Sequence, residues 1–291
     1  MMGIFKLFGL GFQTVNKKIK IAVYLWVVNL LFSLVVIAPL YFLLQSEFSR
    51  SLLENQIAKG NDFLIWMGDF IFKNRDFYPA LLGWILVPLL LYLFFNIFLS
   101  GGVIGRIASR DEKTSLSNFL SDCGKYFYRF FRVFLISLIG FIVFFGVIYK
   151  LISALLEIWT ENASTEWPLI FVSNLKFLIA VLLFSIARMF FDYVKIRLVV
   201  EDSKKAVRST LLNFAFLGKK FFRAWSLYLL VGLVVVILFI IFILVHRISP
   251  QNGIFFIFLF LWQQLYVFSR MWTKMLFFST EYHFAALNPN H

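Results

Sequence analysis

Apolar residues along this chain gather into six long runs: Ile21 to Leu44, Pro79 to Leu99, Val133 to Leu156, Pro168 to Phe191, Trp225 to Val245 and Ile254 to Met271. Each meets or approaches the ~20 apolar residues that carry a helix across ~30 Å of hydrocarbon. The runs predict six transmembrane helices. Shorter amphipathic stretches, with apolar positions at helical spacing, precede the third and fifth runs at Ser115 to Cys123 and Ala206 to Phe216.

The polar connections alternate in sign. On one side lie Lys6, Lys17, Lys18 and Lys20; then Arg106, Arg110, Lys113, Lys125, Arg129 and Arg132; then Arg188, Lys195, Arg197, Lys204, Lys205, Arg208, Lys219, Lys220 and Arg223. The opposite connections hold Glu47, Glu54, Asp62, Asp69 and Asp76 against Arg50, Lys59, Lys73 and Arg75, then Glu157, Glu161 and Glu166. Basic loops stay in the cytoplasm during insertion, so both termini are expected there. The first run follows lysines and lacks a small-residue cleavage site, which predicts a permanent span.

A motif recurs between these sides. Gly124-Lys125-Tyr126-Phe127-Tyr128-Arg129 precedes the third run, and Gly218-Lys219-Lys220-Phe221-Phe222-Arg223 precedes the fifth. With the arm Ile4 to Lys20 as a weaker third copy, the unit is a cytoplasmic interfacial helix followed by a membrane hairpin, used three times. The glycine would reorient the chain where surface helix turns into span. The expected fold is therefore an all-α, polytopic bundle of six transmembrane helices with cytoplasmic interfacial amphipathic helices, one integral membrane domain over 1–291. On the outer side, Glu47 to Lys59 and Asp62 to Lys73 predict two short amphipathic helices, the second presenting Phe63, Trp66 and Phe70. The short connection Arg247 to Gly253 makes the last two spans antiparallel neighbours.

Composition agrees with a membrane solvent. Of 291 residues 61% are hydrophobic and 40 are phenylalanine, more than one soluble core would bury. The net charge of +13 suits nucleic acid in principle, but the positive-inside pattern and attraction to anionic headgroups account for it, so no nucleic-acid partner is expected. The lone Cys123 excludes an internal disulfide. Asn162-Ala163-Ser164 fits the glycosylation pattern and is read as a polar loop.

Catalytic chemistry finds little support. His246, His283 and His291 have no paired carboxylate or cysteine spacing, and no nucleophile elbow or phosphate-binding glycine loop is present. No catalytic residue, metal site or cofactor is expected. Within the spans, Lys176, Arg188 and Asp192 form a candidate intramembrane polar site, since ionisable groups there cost at least ~2.5 kcal/mol at the bilayer centre. Arg188 and Asp192 share a helical face at i, i+4. Asn29, Asn96, Gln263 and Gln264 read as interhelical hydrogen-bonding groups, and Gly101 with Gly102 as a span end and close approach.

Three stretches carry a resemblance: Phe98-Leu99-Ser100-Gly101-Gly102-Val103, Tyr126-Phe127-Tyr128-Arg129-Phe130-Phe131-Arg132, and Asp192-Tyr193-Val194-Lys195-Ile196-Arg197-Leu198-Val199-Val200-Glu201-Asp202. Through them the chain resembles a group of bacterial six-span membrane proteins of unknown function, distantly similar to the membrane domain of glycerophosphoryl diester phosphodiesterases. The resemblance implies a bacterial cytoplasmic (inner) membrane and six spans, and brings no catalytic residues.

Two functions fit. One is a noncatalytic membrane subunit or scaffold holding anionic lipids or a protein partner. Its contacts would be Arg129, Arg132, Lys219, Lys220 and Arg223 on phosphates, with Tyr126, Phe127, Phe221 and Phe222 at the acyl boundary. The other is a transporter of a small or lipidic substrate, with Lys176, Arg188 or Asp192 contacting it.

Overall fold

The computed structural model describes residues 3–48, 72, 78–109, 111, 114–160, 165–250 and 255–287. The expected outer helices over 47–73, the Asn162-Ala163-Ser164 pattern and the end of the Arg247 to Gly253 connection lie wholly or largely outside them.

Among the described residues the chain is helical and has no strand. In order come α1 (Ile4–Lys17), α2 (Ile19–Phe48), α3 (Tyr78–Ala108), α4 (Leu116–Val143), a π-helical stretch (Phe144–Tyr149), α5 (Lys150–Ile158), α6 (Trp167–Val200), α7 (Ala206–Ile248) and α8 (Phe255–Ala286). Five helical segments are long and apolar enough to cross a membrane: Ile19–Ala38, Leu82–Ala108, Leu116–Ile158, Trp167–Val200 and Ala206–Ile248. This is a multi-pass membrane protein. The sixth apolar run falls in α8, which is long enough but is diluted by Gln263, Gln264, Arg270 and Lys274.

Two compact units divide the chain. The smaller, Tyr24–Asn96, contains the bodies of α2 and α3. There the Tyr92 hydroxyl donates to Asn29 Oδ1 at 3.0 Å, and Phe32 packs against the rings of Tyr92 and Phe95. Asn29, Tyr92 and Pro88 border a 350 Å³ apolar cavity.

The larger unit joins Met1–Val23 to Ile97–His291. Its core gathers at the end where the basic residues cluster. In α6 the buried side chains run from Ala187 to Val199, with only Val172 buried in the first half; in α8 they begin, Leu259 aside, at Thr273. The opposite halves leave their apolar surfaces uncovered, as Leu138, Ile142, Leu155, Phe177, Val236 and Ile240 illustrate. Such surfaces suit hydrocarbon, where lipid replaces a protein neighbour. The 43 residues of α7 give ~64 Å of helical path, about twice the hydrocarbon thickness. Its leading turns therefore have length to spare beyond the apolar layer.

Local chemistry fixes the helix ends. The Ser115 hydroxyl accepts from the Asn118 amide and caps α4, and Pro168 occupies the first turn of α6, where its missing N–H costs nothing. Lys18 separates α1 from α2, and its buried ammonium donates to the carbonyls of Arg106 and Ser109, holding the C-terminal end of α3.

The expected reorienting glycines behave otherwise. α4 runs helical straight through Gly124, joining the amphipathic stretch to the span as one element. Near Gly218 the break falls at Lys220, whose φ of −130° and ψ of 18° interrupt α7. Lys18 has nearly the same backbone, φ −109° and ψ 28°. The part of α7 before its break, 206–219, matches α1 in length. Two of the three expected units thus share a kink at a lysine, and the middle one is straight.

The amphipathic faces lie on protein. α1 buries Leu7, Gly11 and Val15, one residue per turn, and rests on α8. Ser279 Oγ donates to the Gly11 carbonyl at 3.1 Å, His283 Nε2 meets Thr14 Oγ1 at 2.8 Å, and Trp272 Nε1 donates to Asn16 at 3.0 Å. α4 buries Phe119, Cys123, Tyr126, Phe130 and Val133 along one stripe. Part of that stripe faces Gly102, where an added Cβ would sit 2.4 Å from Cys123 Sγ and 2.7 Å from the Phe119 ring.

Candidate functional site

Cations without a carboxylate partner among the described residues gather beside the turn between α6 and α7. α6 ends with the Asp202 amide donating to Val199 and the Ser203 amide to Leu198, the paired bonds of a Schellman motif. Asp202 takes the left-handed position at φ 44°, which Asp tolerates better than most non-glycine residues. Its carboxylate accepts from Arg129 at 2.7 Å and lies 3.6 Å from Lys125, which holds its pKa below the usual carboxylate range. The neighbouring Glu201 is bonded to Arg197 at 2.7 Å. Both carboxylates of the turn are thereby occupied.

Beyond that turn an open cavity of 660 Å³ is lined by Arg132, Leu135 and Ile136 of α4, and by Lys204, Lys205, Ala206, Val207, Arg208 and Leu211. Among the described residues its four cations have no carboxylate within ion-pair distance; Arg132 lies 5.0 Å over the Tyr128 ring. The first turn of α7 also contains no acidic residue and no side-chain cap. The charged side chains lining the cavity are all cationic, and the rest of the lining is aliphatic.

The recurring basic-aromatic motifs split by environment. Arg129 is bonded to Asp202, and Tyr126 is only 6% exposed, beneath Arg129 and Lys125. Phe127 packs on Phe98 and Phe131. In the second motif Lys219 is exposed, Phe222 is 78% exposed, Phe221 stacks on Trp225, Lys220 lies over Phe216 and Arg223 over Phe284. Spacing makes the two look equivalent, but in the first Tyr126 is buried and Arg129 is paired, leaving Tyr128 and Lys125 open, whereas in the second Phe222 and Lys219 are the open pair.

Lys176 pairs with Glu157 across the far ends of α5 and α6, well away from the other two polar candidates. The Arg188 to Asp192 pair expected from i, i+4 spacing is present at 3.9 Å, while Lys195 approaches Asp192 more closely, at 2.9 Å. Asp192 is 4% exposed.

Sequence reasoning missed the partner of this cluster. Glu281, in the extension of α8 beyond Met271, is 1% exposed, and neither carboxylate oxygen has a hydrogen-bond partner among the described residues. Burial, reinforced by Asp192, pushes its pKa well above the usual carboxylate range, against the pull of Lys195 and Arg188. The buried Tyr193 hydroxyl likewise has no hydrogen-bond partner among the described residues. Lys274 is pushed down to about 7 by desolvation, with repulsion from Lys195 and Arg188. His283, beside α1, is held below its ordinary value by burial. The available signal was the placement of Glu281 and Thr273 to Phe278 on one continuous helix, whose buried side is fixed only by the fold.

No group of three or more His, Cys, Asp or Glu with metal-ligand geometry occurs among the described residues. Compared with known proteins, the chain matches no family model, no curated protein and no solved structure.

Proposed function

We propose that this protein is a noncatalytic membrane subunit or scaffold whose basic end faces the cytoplasm and holds anionic lipids or a protein partner. The observation carrying this reading is the asymmetry of the larger unit: a packed basic end with uncommitted cations, set on helices whose far halves stay apolar and uncovered. A rigid charged platform over lipid-facing helices suits recruitment better than chemistry, which requires convergent groups around a reacting atom. Six spans with α8 as the last, a threefold hairpin repeat, a bacterial inner membrane, cytoplasmic termini and kinship with the membrane domain of glycerophosphoryl diester phosphodiesterases belong to the same proposal.

Position 222 tests it. A photoreactive residue replacing Phe222, between Lys219 and Arg223, is expected to give one dominant protein or phospholipid adduct in the native membrane. A diffuse ladder of unrelated proteins contradicts the reading.

A second reading, transport of a small or lipidic substrate, is favoured by one observation: Glu281, with no hydrogen-bond partner among the described residues, lies in the field of Asp192, Arg188 and Lys195. Buried ionisable groups near spans commonly serve ion or proton paths.

A further inference from the structure

Four cations around one cavity repel one another, and the protein retains that arrangement although two carboxylates lie on the adjoining turn. Glu201 and Asp202 are drawn to Arg197, Arg129 and Lys125, leaving Arg132, Lys204, Lys205 and Arg208 without an internal counter-charge among the described residues. No described carboxylate balances these cations, which leaves them open to an anion from outside the chain. The cavity's dimensions and floor narrow its identity. At 660 Å³ it lies in the middle of the range for organic-ligand sites and exceeds the needs of a bare inorganic anion. Leu135, Val207 and Leu211 are all exposed and supply an aliphatic wall beside the cations. Arg132, Leu135 and Ile136 also lie where α4 begins its apolar run, so the site spans the change from charged to apolar surface.

We propose that this cavity is a binding site for one anionic phospholipid, with Arg132, Lys204, Lys205 and Arg208 around its phosphate and the upper acyl chain against Leu135, Val207 and Leu211. The phosphate receives charge-assisted hydrogen bonds from ammonium and guanidinium groups, with the uncapped first turn of α7 adding partial positive charge of the same sign. The chain end requires an apolar wall, which separates a lipid from a soluble phosphate. Arg129 acts here through Asp202: their 2.7 Å bond holds the turn that presents Lys204 and Lys205. The inference rests on the lipid-holding part of the proposed function and moves the phosphate contacts from the repeated motifs to the cavity.

The test uses the full chain in mild detergent, titrated with dioleoyl phosphatidylglycerol or dioleoyl phosphatidylcholine and read by native mass spectrometry. Wild type is compared with a cavity variant (Lys204→Gln, Lys205→Gln, Arg208→Gln), a motif variant (Lys219→Gln, Lys220→Gln, Arg223→Gln) and Val207→Trp, which narrows the cavity without changing charge. Helicity is checked by circular dichroism. The expected result is one phosphatidylglycerol retained in preference to phosphatidylcholine, with the first-binding constant reduced ~10-fold or more by the cavity variant and by Val207→Trp, and little changed by the motif variant. Equal loss in cavity and motif variants indicates general surface charge and overturns the site. Loss only in the motif variant overturns the site while leaving the lipid-holding function in place; no preference for phosphatidylglycerol in any form removes both. Displacement of the lipid by millimolar inorganic phosphate assigns the cations to a soluble anion and also overturns the proposal.

Discussion

At the scale of single residues, the most consequential is Glu281. A buried carboxyl with no hydrogen-bond partner favours its neutral form, because the charged form would forgo hydration without a compensating donor. The groups acting on it are Asp192, which opposes ionisation, and Lys195 and Arg188, which assist it; Tyr193 and Tyr228 lie within its field. With the folded-state pKa raised above the ordinary 4.5, the folded protein holds this proton more tightly than the unfolded chain. Its stabilising contribution is complete below that ordinary value and is lost as pH rises through the folded pKa. Relative to Glu281→Gln, wild type is expected to lose Tm as pH is raised from about 4.5, the ordinary carboxyl value, towards neutrality. Parallel Tm curves for the two proteins would show that the carboxyl titrates normally. The sequence disclosed half of this cluster. Arg188 and Asp192 pair within one helix, so their spacing reveals them; Glu281 reaches them only through the packing of α8 against α6, which no local periodicity encodes.

At the scale of elements, an amphipathic stripe gives a helix and its buried face but not what covers that face. Leu7, Gly11 and Val15 mark the apolar side of α1 equally well for a lipid surface or a protein neighbour. The distinguishing feature is Gly11, where an added Cβ would lie 2.4 Å from Thr280 Cγ2 and 3.1 Å from Thr280 backbone atoms. Lipid needs no such clearance; a close helix contact does. Gly11→Val is therefore expected to cost about 1–3 kcal/mol and to loosen α1 from α8. Hydrogen–deuterium exchange should then rise over Ile4–Lys17 and the facing turns of α8, leaving the far half of α7 unchanged. Unaltered protection of α1 would mean that the contact carries no stability. The Gly124 and Gly218 motifs teach the same limit: identical spacing leads to a straight helix in one case and a kink at Lys220 in the other. The helices and their apolar lengths were legible because hydropathy is local, whereas the packing of Phe119, Cys123 and Tyr126 against the glycines of α3, on either side of Gly124, is a tertiary contact that spacing does not encode.

For the whole molecule, charge and packing gather at the same end. The expected topology places the cations there to remain on the cytoplasmic side during insertion, and the fold adds that most of the larger unit's burial lies there as well. What the charge pattern could not resolve is which cations are internally satisfied: Arg129 is committed to Asp202, while Arg132, Lys204, Lys205 and Arg208 surround an open cavity. A well-packed end whose cavity cations have no counter-charge among the described residues is suited to holding an anionic surface or partner, and the uncovered far halves of the helices are suited to lipid. The most direct measurement of this claim is native mass spectrometry of the full chain, extracted under mild conditions from its own membrane with bound molecules retained. The account predicts a stoichiometric protein partner or a defined anionic phospholipid on the intact protein. A chain released bare, or carrying only neutral lipid in variable number, would contradict it.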